Sequence, residues 1–485
     1  MRKTSRVTLA AAGIGSLALT VLLAAGAPVG AQAAGGAQVQ PHAGHVFLIE
    51  LENKGFNEAY VTNPNPYLRK TLPAQGQLLT NYYGIGHVSL DNYVAQLSGQ
   101  APNLNTQSDC QNYTDFQPST AVIGPGGQAA GIGCVYPTQV KALPDQLTAT
   151  GHSWKAYLQD MGNDQTREDD RCGAPANSFG TGGKDGTQSA TARDQYAARH
   201  NPFIYFHSIR DSELCHTNVV PLDQLAGDLT QPANFTWISP NLCSDGHDDP
   251  CTGKNVAGGS AGGLKAIDLF LAKYVPMIET SPAFKKDGVL IITSDEAENN
   301  DATACCGEKP GPNSPFPGIT GPGGGRIGTV VIGHCVTAGS RNATPYNHYA
   351  LLRSLEDNFG ITTGGADGKG HLGYAGAAGL KAFGADVFGG CNANGQASAA
   401  SGIAGTGPSG GGAAGNGSGS TGGGGPPGGS GSGSTGGGAQ DGSVEARPSS
   451  SALATTGGLP LTRVAAGFVL LAGITTAACR RRKAG

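Results

Sequence analysis

His45-Val46-Phe47-Leu48-Ile49-Glu50-Leu51 runs straight into Glu52-Asn53. So short a run of aliphatic, aromatic and β-branched residues is the pattern of a buried strand, and it ends in a carboxylate and a carboxamide. A second run, Val289-Leu290-Ile291-Ile292-Thr293, leads into Ser294-Asp295-Glu296. Segments 203–209, 235–239 and 329–332 have the same composition and are predicted as further strands. Between the runs the period changes. Leu264, Ile267, Leu271, Val275 and Ile278 share one face of a helix, as do Leu351, Leu352, Leu355 and Phe359, and 142–150 makes a third helical segment. Strands alternating with helices imply an α/β sheet with helices on both faces, whose sites gather beyond the carboxyl ends of the strands.

Those ends carry Glu52 with Asn53 and Asp295 with Glu296. Two such pairs supply oxygen ligands without thiolates, the donor set of a hard divalent cation such as Mg²⁺, Ca²⁺ or Mn²⁺. Singly, each pair is as well explained by a helix cap or a solvated loop. Between them lies Gly86-His87-Val88-Ser89-Leu90-Asp91-Asn92-Tyr93, followed by a helix-like stretch at 94–99. A serine at a helix N-terminus sits beside free amide N–H groups and the positive end of the helix dipole, which favour an anion. The commoner role of such a serine is an N-cap.

Outside this region the composition divides the chain. Of 485 residues 80 are glycine, and 392–440 carries no charged residue. The Gly/Ser-rich stretch 392–452 has too few apolar residues to fold and reads as a flexible tether reaching on the order of 40 Å. At the N-terminus Arg2, Lys3 and Arg6 precede an apolar run and Ala31-Gln32-Ala33, so 1–33 is predicted to be a signal peptide for export. At the C-terminus Leu453-Ala454-Thr455-Thr456-Gly457 precedes the segment 459–485, whose short apolar stretch ends in Arg480-Arg481-Arg482-Lys483. That stretch is shorter than the about 20 residues of a stable span. Loss of both ends removes eight of the 31 basic residues and no acidic one, leaving 23 basic against 35 acidic residues, a net charge of −12. Such acidity argues against nucleic acid and anionic membrane as partners. What remains, 42–391, is long enough for one large α/β domain or two smaller ones. Ten of the 11 cysteines fall within it, so up to five disulfides are expected in an oxidising compartment. Cys110–Cys134 and Cys243–Cys251 close short loops and are the favoured pairs, whereas Cys305 and Cys306 are expected to reach different partners.

Taken in order, these motifs resemble a bacterial and fungal phosphoesterase family that includes secreted acid phosphatases and phosphatidylcholine-type phospholipases C, within the alkaline-phosphatase-like superfamily. The matching residues are a strand ending at Glu52-Asn53, then His87, Ser89, Asn92 and Tyr93, a strand ending at Asp295-Glu296, and Tyr346 through His348 to Gly360. Segments 152–161, 199–206 and 239–249 match as well. The resemblance implies an alkaline-phosphatase-like sheet with helices on both faces. It also implies a divalent metal ion held by Glu52, Asn53, Ser89, Asp295 and Glu296, with Ser89 as nucleophile and a phosphoserine intermediate. His87 and Asn92 would bind substrate, and His247 and His348 would serve catalysis. Val88 and Asp91 depart from the family by replacing two prolines, and His334 stands where relatives often have Ser-Pro.

The implied activity is hydrolysis of phosphate monoesters at the cell surface. A phospholipase C or other phosphodiesterase on the same site, and a non-catalytic wall-displayed binding or adhesion module, are the alternatives. The C-terminus resembles a cell-wall sorting signal of the class E sortase kind. That resemblance implies cleavage after Thr456 and attachment to peptidoglycan, with membrane anchoring as the alternative.

Overall fold

A computed structural model describes residues 42–176 and 183–390. The predicted signal peptide, tether, sorting motif and C-terminal apolar segment lie outside the described residues. Among the described residues no helix is long and apolar enough to cross a membrane.

The sheet strands, in chain order, are β1 (His45–Leu51), β2 (Gln77–Tyr83), β3 (Trp154–Leu158), β4 (Val219–Pro221), β5 (Phe235–Ser239), β6 (Gly288–Ser294), β7 (Arg326–Gly333), β8 (Ser340–Asn342) and β9 (Tyr346–Asn347). They pair in the order β8-β2-β7-β6-β1-β5-β3-β4, with β9 added to β2. The block β6-β1-β5-β3-β4 is parallel throughout, and β7 runs antiparallel to both β6 and β2. Parallel strands need crossovers, and helices supply them on both faces.

The alternation in β1 sorts the core. Val46 and Leu48 point into a cluster with Leu90, Val94 and Leu97 of α1 (Ser89–Ser98) and with Leu351, Leu352 and Leu355 of the helix His348–Asn358. Phe47, Ile49 and Leu51 point the other way, onto Ile267, Leu271, Val275 and Ile278 of the helix Gly263–Thr280. Burying each of those four aliphatic side chains contributes roughly 1.5–3 kcal/mol. The predicted helical faces at 264–278 and 351–355 are thus the faces that pack.

The segment 203–209 is not a strand. It forms a 3₁₀ turn, Pro202–Tyr205, and a one-turn helix, His207–Arg210. Phe203, Ile204, Tyr205 and Phe206 are all fully buried, and a short apolar run buried on all sides carries no period to separate strand from turn. Pro202, at the first position of the turn, sets its backbone.

Disulfides join Cys110–Cys134, Cys243–Cys251 and Cys172–Cys215. Contrary to expectation, Cys305 and Cys306 pair with each other. Cys306 and Gly307 both adopt positive φ (66° and 73°), a tight turn that places the neighbouring thiols side by side.

Candidate active site

β1 and β6 are adjacent and parallel, and their register sets Leu51 opposite Ser294. The next residue of each strand, Glu52 and Asp295, therefore emerges at the same level. The Asp295 N–H still donates to the Leu51 carbonyl at 3.0 Å, prolonging the ladder by one bond. Asn53 then turns through the left-handed region (φ 55°), which asparagine tolerates better than most residues. In that conformation its N–H donates to Asp295 Oδ1 at 2.8 Å and its amide to Glu52 Oε2 at 3.2 Å.

On the other side of β1, the loop after β5 brings Asp245, whose carbonyl accepts from the Glu52 N–H at 2.9 Å. His200 lies between the two acids. Its Nδ1 is 3.0 Å from Asp245 Oδ2 and its Nε2 is 3.2 Å from Glu52 Oε1. The ring stacks flat on Tyr93 at 5.3 Å, and the Tyr93 hydroxyl donates to Glu52 Oε1 at 2.6 Å.

Ser89 is the first residue of α1, and the capping position is Val88. Its hydroxyl makes no cap. It donates to Glu52 Oε2 at 2.7 Å. The serine thus stands at the positive end of a ten-residue buried helix with its oxygen aimed at the acidic cluster.

Burial dominates the electrostatics. Glu52, Asp245 and Glu296 are all held well above the carboxylate range by loss of water, and Glu52 is raised further by the charges of Asp295 and Asp245. Asp295 is pushed up to about 6, again by burial. Burial keeps His200 well below the usual range, so its ring is neutral. Asp295 Oδ2 is buried without a hydrogen-bond partner, and Glu52, His200 and Asp245 converge within 4.8 Å. Crowded dry carboxylates, an orphaned carboxylate oxygen and a neutral imidazole fit a divalent cation.

The structure brings Glu52, Asn53, Ser89 and Asp295 together. Glu296 is turned aside, onto His87 Nδ1. Asn92 is fully used in shaping the loop before α1: Oδ1 accepts from Ile85 and Gly86 N–H, and the amide donates to the Gly86 and Val88 carbonyls. His348 is fully buried. Its Nε2–H donates to the Asp295 carbonyl at 2.6 Å and its Nδ1 accepts from the Tyr82 hydroxyl at 3.2 Å. It therefore braces the strand end that carries Asp295, and burial lowers its pKa to about 4. His247 sits at the rim, where Arg199 Nη2 donates to its Nε2 at 3.1 Å and its Nδ1–H donates to Asp248 at 2.8 Å. His334, opposite the amino end of β6, lies at the far end of the sheet. Asp91 is buried in the first turn of α1, with neither oxygen hydrogen-bonded.

Sequence reasoning missed His200 and Asp245 as members of the site, although both lie in segments that carried the resemblance. Tyr93 enters the sequence reading only as part of its motif, and its bond to Glu52 is a further addition.

A serine, three carboxylates and an imidazole thus converge beyond the parallel strand ends of an α/β sheet as a candidate cation site. The chain belongs to the phosphoesterase family, whose model matches residues 45–362. It is 24% identical over 315 residues to a phosphate-repressible acid phosphatase of Penicillium chrysogenum, a match covering 64% of this chain and 58% of that protein. It is also 24% identical over 320 residues to a probable acid phosphatase of Kluyveromyces lactis, covering 65% and 58%. The chain thus spans less than two thirds of the length of these relatives. Among solved structures it is similar to a protein in the alkaline phosphatase superfamily from Vibrio parahaemolyticus, at 15% identity and a TM-score of 0.36, covering 67% of this chain and 68% of that one.

Proposed function

We propose that this protein hydrolyses phosphate monoesters, with Ser89 as nucleophile. The observation that carries the reading is the bond from Ser89 Oγ to Glu52 Oε2 at the start of a buried helix, beside the unpartnered Asp295 oxygen. Glu52, Asn53 and Asp295, with the Ser89 oxygen, would hold a divalent cation, and His200 and Asp245 extend that donor set, while Glu296, expected among the ligands, is engaged by His87. Such a cation supplies charge neutralisation for the phosphate and stabilises serine alkoxide.

The chain's own residues position the rest. Glu52 Oε2 holds the Ser89 proton and thereby fixes the direction of the Oγ lone pairs. The Oγ–H proton would pass to Glu52 Oε2 as the Oγ–P bond forms and the bond from phosphorus to the ester oxygen breaks, the leaving oxygen taking a proton from solvent. Water would then displace Ser89 from phosphorus, and Oγ would recover a proton from Glu52. Asn92 keeps the loop before α1 in shape, and His348 holds Asp295 in place. His247, at the rim and a third exposed, would meet the leaving group. Its Nε2 accepts from Arg199 and so carries no proton in this arrangement; it would serve as an acid only after leaving Arg199 and taking a proton from solvent.

Export is supported by the disulfides, which persist in oxidising compartments, together with the N-terminal signal pattern. Attachment to peptidoglycan through Thr456 rests on the C-terminal pattern, and changing Thr456 and Gly457 should release the protein from purified wall.

The deciding experiment compares p-nitrophenyl phosphate with p-nitrophenylphosphorylcholine, after chelation and with each divalent cation in turn. Cation-dependent hydrolysis of the monoester, lowered at least about a thousandfold in Ser89→Ala, is the expected result. Preference for the choline diester would make the protein a phospholipase C. No turnover of either by folded protein with any cation would make it a binding module.

A further inference from the structure

A cavity of about 440 Å³ opens at the opposite end of α1 from Ser89. Gly99, which ends that helix in the left-handed region, accepts from the Tyr374 N–H at 2.8 Å, and Tyr374 is part of the cavity wall. At 1.5 Å rise per residue, α1 carries this part of the cavity wall about 15 Å along its axis from Ser89. Every residue of α1 is buried, and none of Glu52, Asn53, Ser89, His200, Asp245 and Asp295 lines the cavity.

The wall is mixed in chemistry. Tyr349 and Tyr374 meet edge to face at 5.6 Å. Glu308 and Lys309 bring one charge of each sign. The Glu308 carboxylate is fixed by Asn347, whose amide donates to Oε1. Asn347 is itself locked as the cap of the helix His348–Asn358, accepting from the Ala350 N–H at 2.9 Å. The Glu308 carboxylate at the cavity wall therefore has a set direction. The Cys305–Cys306 disulfide stiffens the turn that carries Glu308. The volume falls within the range that takes small organic ligands.

Balanced charge disfavours a phosphate or any other strong anion here. Aromatic faces beside a fixed carboxylate acceptor and an ammonium donor suit a neutral, hydroxyl-rich ring, whose C–H face packs on tyrosine while its hydroxyls meet both charges. We propose that this cavity is a carbohydrate-binding site, separate from the catalytic centre and sized for one or two neutral sugar residues. The sugar can be free or part of a polymer, and the test separates the two.

Saturation-transfer NMR and calorimetry on the full-length protein would use glucose, N-acetylglucosamine and the β-1,4 disaccharide of each as probes, with insoluble peptidoglycan in a separate pull-down. Binding of at least one soluble sugar is expected, weakened by about tenfold or more in Glu308→Gln. Ala378→Trp, at an exposed rim position, should close the cavity without disturbing the core and abolish binding. Hydrolysis of p-nitrophenyl phosphate should be unchanged in both variants, which also reports that they fold. Retention on peptidoglycan that Ala378→Trp abolishes, without binding of the soluble sugars, would assign the site to the polymer. If neither soluble sugar nor peptidoglycan binds, or if binding is the same in both variants, the proposal fails. It fails equally if inorganic phosphate displaces the sugar from the cavity.

Discussion

Ser89 Oγ donates to Glu52 Oε2 at 2.7 Å, joining the first residue of a buried helix to the residue that follows the central strand of the sheet. The same Glu52 also receives Tyr93 and Asn53, so one carboxylate ties the nucleophile to the acidic cluster.

Glu52→Gln should therefore act on two readouts at once. It removes a charge from the cation shell and leaves an amide facing the Ser89 hydroxyl. Hydrolysis is expected to fall at least about a hundredfold, with loss of bound cation measured by mass spectrometry after dialysis. Full cation content with an unchanged rate would show that Glu52 is neither ligand nor orienter.

His200→Ala tests the residues that local patterns did not reveal. Its two nitrogens contact Glu52 and Asp245, so its loss should weaken cation retention by roughly 10–100-fold, as measured by competition with a chelating dye.

The Tyr82 hydroxyl donates to His348, which donates to the Asp295 carbonyl. Tyr82→Phe leaves a buried His348 nitrogen unsatisfied and should cost about 1–2 kcal/mol in urea denaturation, with cation content preserved. His348→Ala should cost more and also lower the rate, because the Asp295 strand end loses its brace.

Glu168 provides a pH test away from the site. Burial pushes its carboxyl up to about 7, from the ordinary 4.5. The folded state therefore binds more protons than the unfolded state between these values, and stability falls as pH rises through that window. Glu168→Gln should remove about 1–3 kcal/mol of this decline, read as a flatter plot of unfolding free energy between pH 4.5 and 7.

Cys172–Cys215 closes a separation of 43 residues. Replacing both cysteines by alanine should lower stability by about 4 kcal/mol on the chain-entropy account, measured by thermal unfolding beside the oxidised wild type.

Much of the sheet was legible because its parallel strands are buried on both faces, so β1, β5, β6 and the core of β7 read as compact apolar runs. β2 and β3 were missed: Thr80 and Asn81 interrupt one, and Lys155 the other. Segment 203–209 reads as a strand because full burial removes the period that would expose its turn. Cys305 and Cys306 were assigned to different partners because adjacent cysteines pair only when the main chain makes a particular turn.

The amino-acid sequence by itself determined where β1 and β6 end and which ionisable residues follow them, because period and side-chain chemistry are local properties. It placed a serine before a helix and acids after two strands. The tertiary structure alone decided which of these meet. Asn53 and Asp295 are 242 positions apart, and they touch because the β1–β6 register brings their strand ends level. The same folding turned Glu296 toward His87, spent the Asn92 amide on its own loop, and added His200 and Asp245 to the cluster. Those outcomes depend on strand pairing and on which buried donor reaches which acceptor, and neither leaves a mark in the neighbouring residues.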